Sequence, residues 1–148
     1  MPLMSECIFC KIVRGTAPAV KVYENEEVLV FMDKQPITRG HMLVIPKTHV
    51  ELLTEADDQV TSEMFKAAKR MAVALRKSKL GSRAVNYLVA DGAEAGQEVF
   101  HVHIHVIPRY RGDGFGFRMP PGYDDETSVK ELENAAAKIM KVLGTQGI

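Results

Sequence analysis

"HVHIHVIPR" fills residues 101–109 of a 148-residue chain and holds three of its five histidines at alternate positions. Side chains alternate faces along a β-strand, and residues i and i+2 stand about 6.6 Å apart on one face. In a strand running through "VFHVHIHVIP", Phe100, Val102, Ile104 and Val106 point together into a core, and His101, His103 and His105 project from the opposite face. Imidazole titrates at about pH 6.5, so three packed side by side repel once protonated. Such a row is a solvated polar face, a His-x-His metal site, or a set of neutral nitrogens for attack on phosphorus. In the last reading one nitrogen is the nucleophile and its neighbours donate to the phosphoryl oxygens.

The length bounds the chain at about one domain. It is 46% hydrophobic and 26% charged with a formal net charge of zero. That balance lacks the positive excess of a protein that coats nucleic acid, though it leaves room for a nucleotide pocket. No apolar run approaches the roughly 20 residues of a membrane helix. The N-terminal "MPLMSECIFCKIVRG" has no basic region followed by an apolar stretch, so it is not a signal peptide and the expected location is the cytoplasm. In a reducing compartment the spacing of Cys7 and Cys10 favours a metal or redox role over a structural disulfide.

Around the histidine strand the chain reads as mostly sequential strands with two helices, an α+β domain on an antiparallel sheet. "VKVYENEEVLVFMD" is a β-hairpin, and "HMLVIP" is a strand stopped by Pro46. Thr54 and Asp57 resemble a capping box before a helix with Val60, Met64, Ala68, Met71 and Leu75 inward and Gly81 as its stop. "RAVNYLVA" is a further strand, and "RYRGDGFGFRMPPGYDDE" is a Gly- and Pro-rich loop. The last helix, about 128–143, turns Val129, Leu132, Ala136, Ile139 and Leu143 inward and ends at Gly144.

The string His101-Val102-His103-Ile104-His105-Val106-Ile107 resembles the signature of the histidine triad (HIT) family. "CIFCKIVRG" at 7–15, "VLVFMDKQPITRGHMLVIPKTHV" at 28–50 and "AGQEVFHVHIHVIPR" at 95–109 resemble family segments in the family's order. The resemblance implies a single HIT domain over 1–148 with its core at about 7–118. It further implies a five-stranded antiparallel sheet with two helices, a homodimer, and hydrolysis or transfer of nucleotides at the α-phosphorus through a nucleotidyl-histidine.

Carried onto this chain, the resemblance makes His103 the nucleophile and His105 the contact to phosphoryl oxygens and leaving group. It places His41 in the same pocket. A free nucleophilic nitrogen requires that the other nitrogen of His103 donate to a backbone carbonyl. Asp33 matches the carboxylate that holds the ribose hydroxyls, and Gln97 a residue that bonds the phosphates. Gly96 lets backbone approach the anion. Ile8, Phe9, Ile12 and Phe31 match an apolar cleft for the base, with purines favoured by area. The chain departs from the pattern at Ala90, where many members carry Asn.

Two cysteines do not close a four-ligand site. The resemblance adds His49 and His101 to Cys7 and Cys10 as a structural zinc site; a redox pair and two small buried cysteines are the other readings. "CIFCKIVRG" and "LVIPKTH" resemble the Hint-like phosphoramidase branch, while "HVIPRYRGDGF" resembles the Fhit-like dinucleoside polyphosphate branch. A nucleotide-binding regulator with slow hydrolysis and a cupin-like metalloenzyme are the rival classes. The expected partners are a nucleotide and a second copy of the chain, with neither nucleic acid nor membrane.

Overall fold

The computed structural model describes residues 6–144, and the two apolar runs 28–32 and 42–46 lie at the centre of its sheet. The elements in order are α1 (Ile8–Arg14), β1 (Lys21–Glu24), β2 (Val28–Met32) and β3 (Met42–Pro46). They continue with α2 (Asp58–Lys77), β4 (Ala84–Leu88), β5 (Ile104–Arg109) and α3 (Val129–Leu143), with short 3₁₀ turns at Leu53–Glu55 and Ala93–Ala95. The chain divides into two compact units, the first ending at Gly114 and the second beginning at Phe115.

In the first unit the five strands lie in the order β1-β2-β3-β5-β4, and every neighbouring pair is antiparallel. The β1–β2 hairpin is closed by the Asn25 carboxamide, whose oxygen accepts from the Glu27 and Val28 backbone N–H groups at 2.9 Å each. The central strands have no polar face because the sheet is covered on both sides. Val28, Val30, Met42, Val44, Ile104 and Val106 pack with Met64, Ala68, Met71 and Leu75 of α2. The alternate residues Leu29, Phe31, Leu43 and Ile45 pack with Phe9 and Ile12 of α1 on the other side. Fully burying a side chain of this size contributes about 1.5–3 kcal/mol, so α1 and α2 are fastened by the alternation in β2 and β3.

Among the described residues three helices stand where the sequence suggested two. The additional one, α1, is short; the Cys7 sulfur caps its start, and Gly15 at φ 80° ends it. Lys11 and Arg14 in its last turn favour the carbonyl end of the helix dipole. The start of α2 also differs from the Thr54–Asp57 capping box. Residues 53–55 form the 3₁₀ turn, and Asp57 alone caps α2, its carboxylate accepting from the Val60 N–H at 2.9 Å. The helix stops at Ser78 rather than Gly81, the Ser78 hydroxyl donating to the Leu75 carbonyl at 2.7 Å.

The histidine segment departs from the single long strand as well. Only Ile104–Arg109 pairs as β5; residues 101–103 run alongside Val50, with the Val102 N–H donating to the Val50 carbonyl at 2.7 Å. Val102 is buried, whereas Phe100 is 41% exposed and not in the core.

In the second unit, turns at residues 120–125 lead to α3, where the Ser128 hydroxyl accepts from the Glu131 N–H at 3.2 Å. The stripe Val129, Leu132, Ala136, Ile139 and Leu143 is exposed. Helical spacing of apolar residues reports a two-sided helix and not what lies against either side. Gly144 does terminate α3, its N–H reaching the Met140 carbonyl.

Candidate active site and metal cluster

The four histidines of the site come from two adjacent strand ends, His41 just before β3 and His101, His103 and His105 entering β5. His101 and His103 are not projected into solvent; they are buried beneath α1, with the Phe9 ring edge-on to both at centroid distances of 5.8 and 5.2 Å. Burial disfavours the charged imidazole. It lowers the pKa of His103 and His41 below the ordinary value and takes His105 down to about 4. For His103 the hydrogen bond to a backbone carbonyl opposes the shift. For His105 the neighbouring His103 and His41 reinforce it.

A neutral imidazole carries one N–H, and the backbone decides which nitrogen holds it. His103 Nδ1 lies 2.8 Å from the His101 carbonyl oxygen, an acceptor only, so Nδ1 carries the proton. Nε2 of His103 is therefore the bare nitrogen with its lone pair. At His41 the order is reversed. The Ile37 backbone N–H donates to His41 Nδ1 at 3.0 Å, so the ring proton sits on Nε2. That Nε2–H donates to His105 Nδ1 at 2.9 Å, which leaves the proton of His105 on its own Nε2. One backbone N–H thus fixes two rings, and the site presents a bare nitrogen on His103 beside an N–H donor on His105. Their ring centroids are 4.9 Å apart.

Asp33 stands at the pocket, one carboxylate oxygen 3.6 Å from His41 Nε2 and the other accepting from the Gln35 N–H at 2.8 Å. Gly96 closes the 3₁₀ turn at φ 91° with open space over its α-carbon. Gln97 is held by three side-chain bonds to backbone. Its carbonyl oxygen accepts from the Gly92 N–H, and its amide donates to the carbonyls of Glu51 and Val99, so it staples loop 92–99 to residue 51. Of the four residues expected to hold a base, Phe9, Ile12 and Phe31 are buried in the cluster under α1, and Ile8 is 43% exposed. Next to Ala90, the Asp91 carboxylate accepts from the Leu53 N–H at 2.7 Å and ties that loop to the turn before α2. Sequence reading required a backbone carbonyl for His103 without saying which, and it missed the Ile37 N–H and the Pro46 carbonyl. They are backbone atoms, so no residue type signals them.

Cys7, Cys10, His49 and His101 bring one donor atom each within 4.8 Å of one another. His101 Nδ1 lies 3.5 Å from the Cys7 sulfur and 3.6 Å from that of Cys10, and His49 Nδ1 lies 3.2 Å from Cys10. A tetrahedral ion with zinc-like bond lengths sets neighbouring sulfur and nitrogen ligands about 3.6 Å apart. His101 Nε2–H donates to the Pro46 carbonyl at 2.7 Å, which frees Nδ1 as a ligand and orients the ring. Burial and the adjacent Cys7 thiol push the Cys10 thiol up to about 11, so a cation is what would make Cys10 a thiolate. The residues fit a metal ion, held by four protein donors.

A second group, Asp33, His41 and His105, also gathers three donor atoms. It does not suit a metal, because the proton held on His41 Nε2 by the Ile37 N–H occupies the position a ligand would need.

Imidazoles of complementary tautomer, lined up by backbone at the entry to one strand, define a histidine-triad protein. A HIT domain model matches residues 14–112, and the chain belongs to the HIT family. A crystal structure of a HIT-family member from Bacillus subtilis matches with a TM-score of 0.84 and 44% identity, covering 95% of this chain and 99% of that one. A Zn-bound histidine triad protein from Mycobacterium smegmatis matches with a TM-score of 0.74 and 43% identity, covering 93% and 98%. The Arabidopsis thaliana protein named adenylylsulfatase HINT3 is 42% identical over 75% of this chain and 56% of its own length.

The depressed histidine pKa values link stability to acid. His105 stays neutral in the folded protein down to about pH 4, while the unfolded chain takes up the proton near its ordinary 6.5. Stability from this group is therefore complete above 6.5, falls as pH drops towards 4, and changes no further below. Denaturant melts of wild type at pH 7, 5.5 and 4 are expected to show a loss of up to about 3 kcal/mol from this group. A smaller loss is expected for His105→Asn, and equal losses in both proteins would remove His105 as the cause.

Proposed function

We propose that the chain is a nucleotide hydrolase or transferase in which His103 Nε2 attacks the α-phosphorus. The observation that carries this reading is the His103 Nδ1–H bond to the His101 carbonyl, which leaves the lone pair of a neutral ring on Nε2. In the first step a P–N bond forms and the bond from phosphorus to the leaving group breaks. Charge rises on the phosphoryl oxygens and on the leaving atom, where His105 Nε2–H donates. In the second step water adds to phosphorus, the P–N bond breaks, and the nucleoside monophosphate leaves with His103 restored. Asp33 holds the ribose hydroxyls through its free acceptor positions.

The substrates are nucleoside phosphoramidates, dinucleoside polyphosphates or a nucleoside phosphosulfate, the last suggested by the name of the Arabidopsis relative. Cys7, Cys10, His49 and His101 hold a structural zinc, which supplies no chemistry to the reaction and fixes α1 beside the triad. Its support is the donor geometry and the zinc-bound mycobacterial relative. The location is cytoplasmic, in keeping with two unpaired thiols. The assembly is a homodimer across β4. The opposite edge strand, β1, is guarded by Lys21, Glu24 and a bulge, whereas the outer edge of β4 pairs with no strand among the described residues and Tyr87 is 47% exposed.

Steady-state hydrolysis of adenosine 5′-phosphoramidate, adenylyl sulfate and diadenosine triphosphate tests the reaction. His103→Ala is expected to lose about 10⁴-fold or more in kcat, and His105→Ala about 10²-fold. Turnover retained by His103→Ala would remove it as nucleophile. Metal analysis of untagged protein should find one zinc per chain, and a content near zero after zinc supplementation would end that assignment. Light scattering should give twice the chain mass at micromolar concentration; a monomer there would overturn the dimer.

A further inference from the structure

His101 is common to the metal cluster and the catalytic strand. Its Nδ1 faces the sulfurs of Cys7 and Cys10, while its backbone carbonyl accepts the Nδ1–H of His103 at 2.8 Å. The helix that carries the cysteines makes a second contact with the nucleophile, through Phe9, whose ring meets His103 at an interplanar angle of 88°. Whatever unties the cysteines from His101 therefore loosens both supports of His103. The cysteines are unequal: Cys7 is partly open to solvent at the start of α1, and Cys10 is 4% exposed one turn further on. Their sulfurs lie within 4.8 Å of each other, and a Cys-x-x-Cys pair on a first helical turn can close to a disulfide with little backbone movement.

We propose that Cys7 and Cys10 form a hydroperoxide-responsive latch on the nucleophile, in which their oxidation to a disulfide withdraws two of the four donors and releases His101 and α1 from His103. The proposal rests on the readings of His103 as nucleophile and of the cluster as a zinc site. The Cys7 thiolate attacks the outer oxygen of a hydroperoxide. An S–O bond forms, the O–O bond breaks, and the departing oxygen takes a proton to leave as water or an alcohol. The Cys10 thiolate then attacks the Cys7 sulfur; the S–S bond forms, the S–O bond breaks, and hydroxide leaves with a second proton as water. The two sulfurs give up two electrons and the peroxide accepts them. A disulfide cannot serve as two thiolate ligands, so the cation is lost. A dithiol reductant with added zinc reverses the change.

Zinc-loaded protein treated with hydrogen peroxide is the test, followed by a colorimetric zinc chelator, thiol titration, intact mass and the ¹⁵N signals of the His103 ring. Expected are one zinc released for each pair of thiols lost, a mass lower by about 2 Da, and a change in the His103 Nδ1–H signal. Hydrolysis should fall about 10-fold or more, with recovery on reduction and zinc addition. Cys10→Ser should instead accumulate a sulfenic acid at Cys7 that dimedone traps. Thiols and zinc that survive the peroxide would overturn the latch, as would a disulfide that leaves the His103 signal unmoved. Reduced protein that holds no zinc would overturn it at its premise. Because the ring signal is read without substrate, failure of the hydrolase reading shows up separately, as absent turnover in the reduced protein.

Discussion

A neutral imidazole has two nitrogens and one proton, and burial beneath α1 and beside β3 forbids a second. That shortage organises the pocket. Each ring must be told by a fixed group which nitrogen keeps the hydrogen, and the fixed groups are backbone. The His101 carbonyl and the Ile37 N–H make opposite choices for His103 and His41, and the second choice passes on to His105. A bare nitrogen and an N–H donor thus arise side by side from the same residue type. Chemistry that other sites obtain from different side chains is obtained here from different partners for one side chain.

The same logic explains why the sheet is covered on both faces. A one-sided sheet would leave the triad in water, where the rings titrate near their ordinary value and the tautomers interconvert. The α1 helix supplies the missing layer with few residues. It depends on the alternation of Leu29, Phe31, Leu43 and Ile45 for its apolar seat and on the cysteine–histidine cluster to hold its start against residues 49 and 101.

Much of this was legible in the sequence where a pattern repeats with a structural period. The stripe from Val60 to Leu75, the β1–β2 hairpin and the strands "HMLVIP" and "RAVNYLVA" follow from spacing and appear in the structure. The gathering of His41, His103 and His105, and of Cys7, Cys10, His49 and His101, was readable from the family resemblance. What escaped has physical causes. The α1 helix is too short to show a period, and its cap is a cysteine rather than a usual capping residue. Alternation through residues 100–106 imitates one strand, but a strand needs a neighbour for each residue, and residues 101–103 bond to Val50 and to their own side chains instead. The three backbone partners of Gln97 are set by how loop 92–99 folds back on residue 51, which no local pattern reports. The spacing in α3 reports two sides and says nothing of what lies against either.

The sheet order β1-β2-β3-β5-β4 has a consequence for how the protein is made. The first three strands form a local meander that can close as soon as residue 46 is available, and loops this short close quickly. Its last strand, however, carries the bare edge of Met42-Leu43-Val44-Ile45, and the partner for that edge is β5, synthesised some sixty residues later. Until then two adjacent runs without a polar face, of the kind that pairs with other chains, wait on the ribosome. The charges that flank them, Glu26 and Glu27, Asp33 and Lys34, Arg39 and Lys47, stand where gatekeepers against aggregation are found. The triad segment and the folding stop are thus one: His101, His103 and His105 come last, and their arrival completes the sheet.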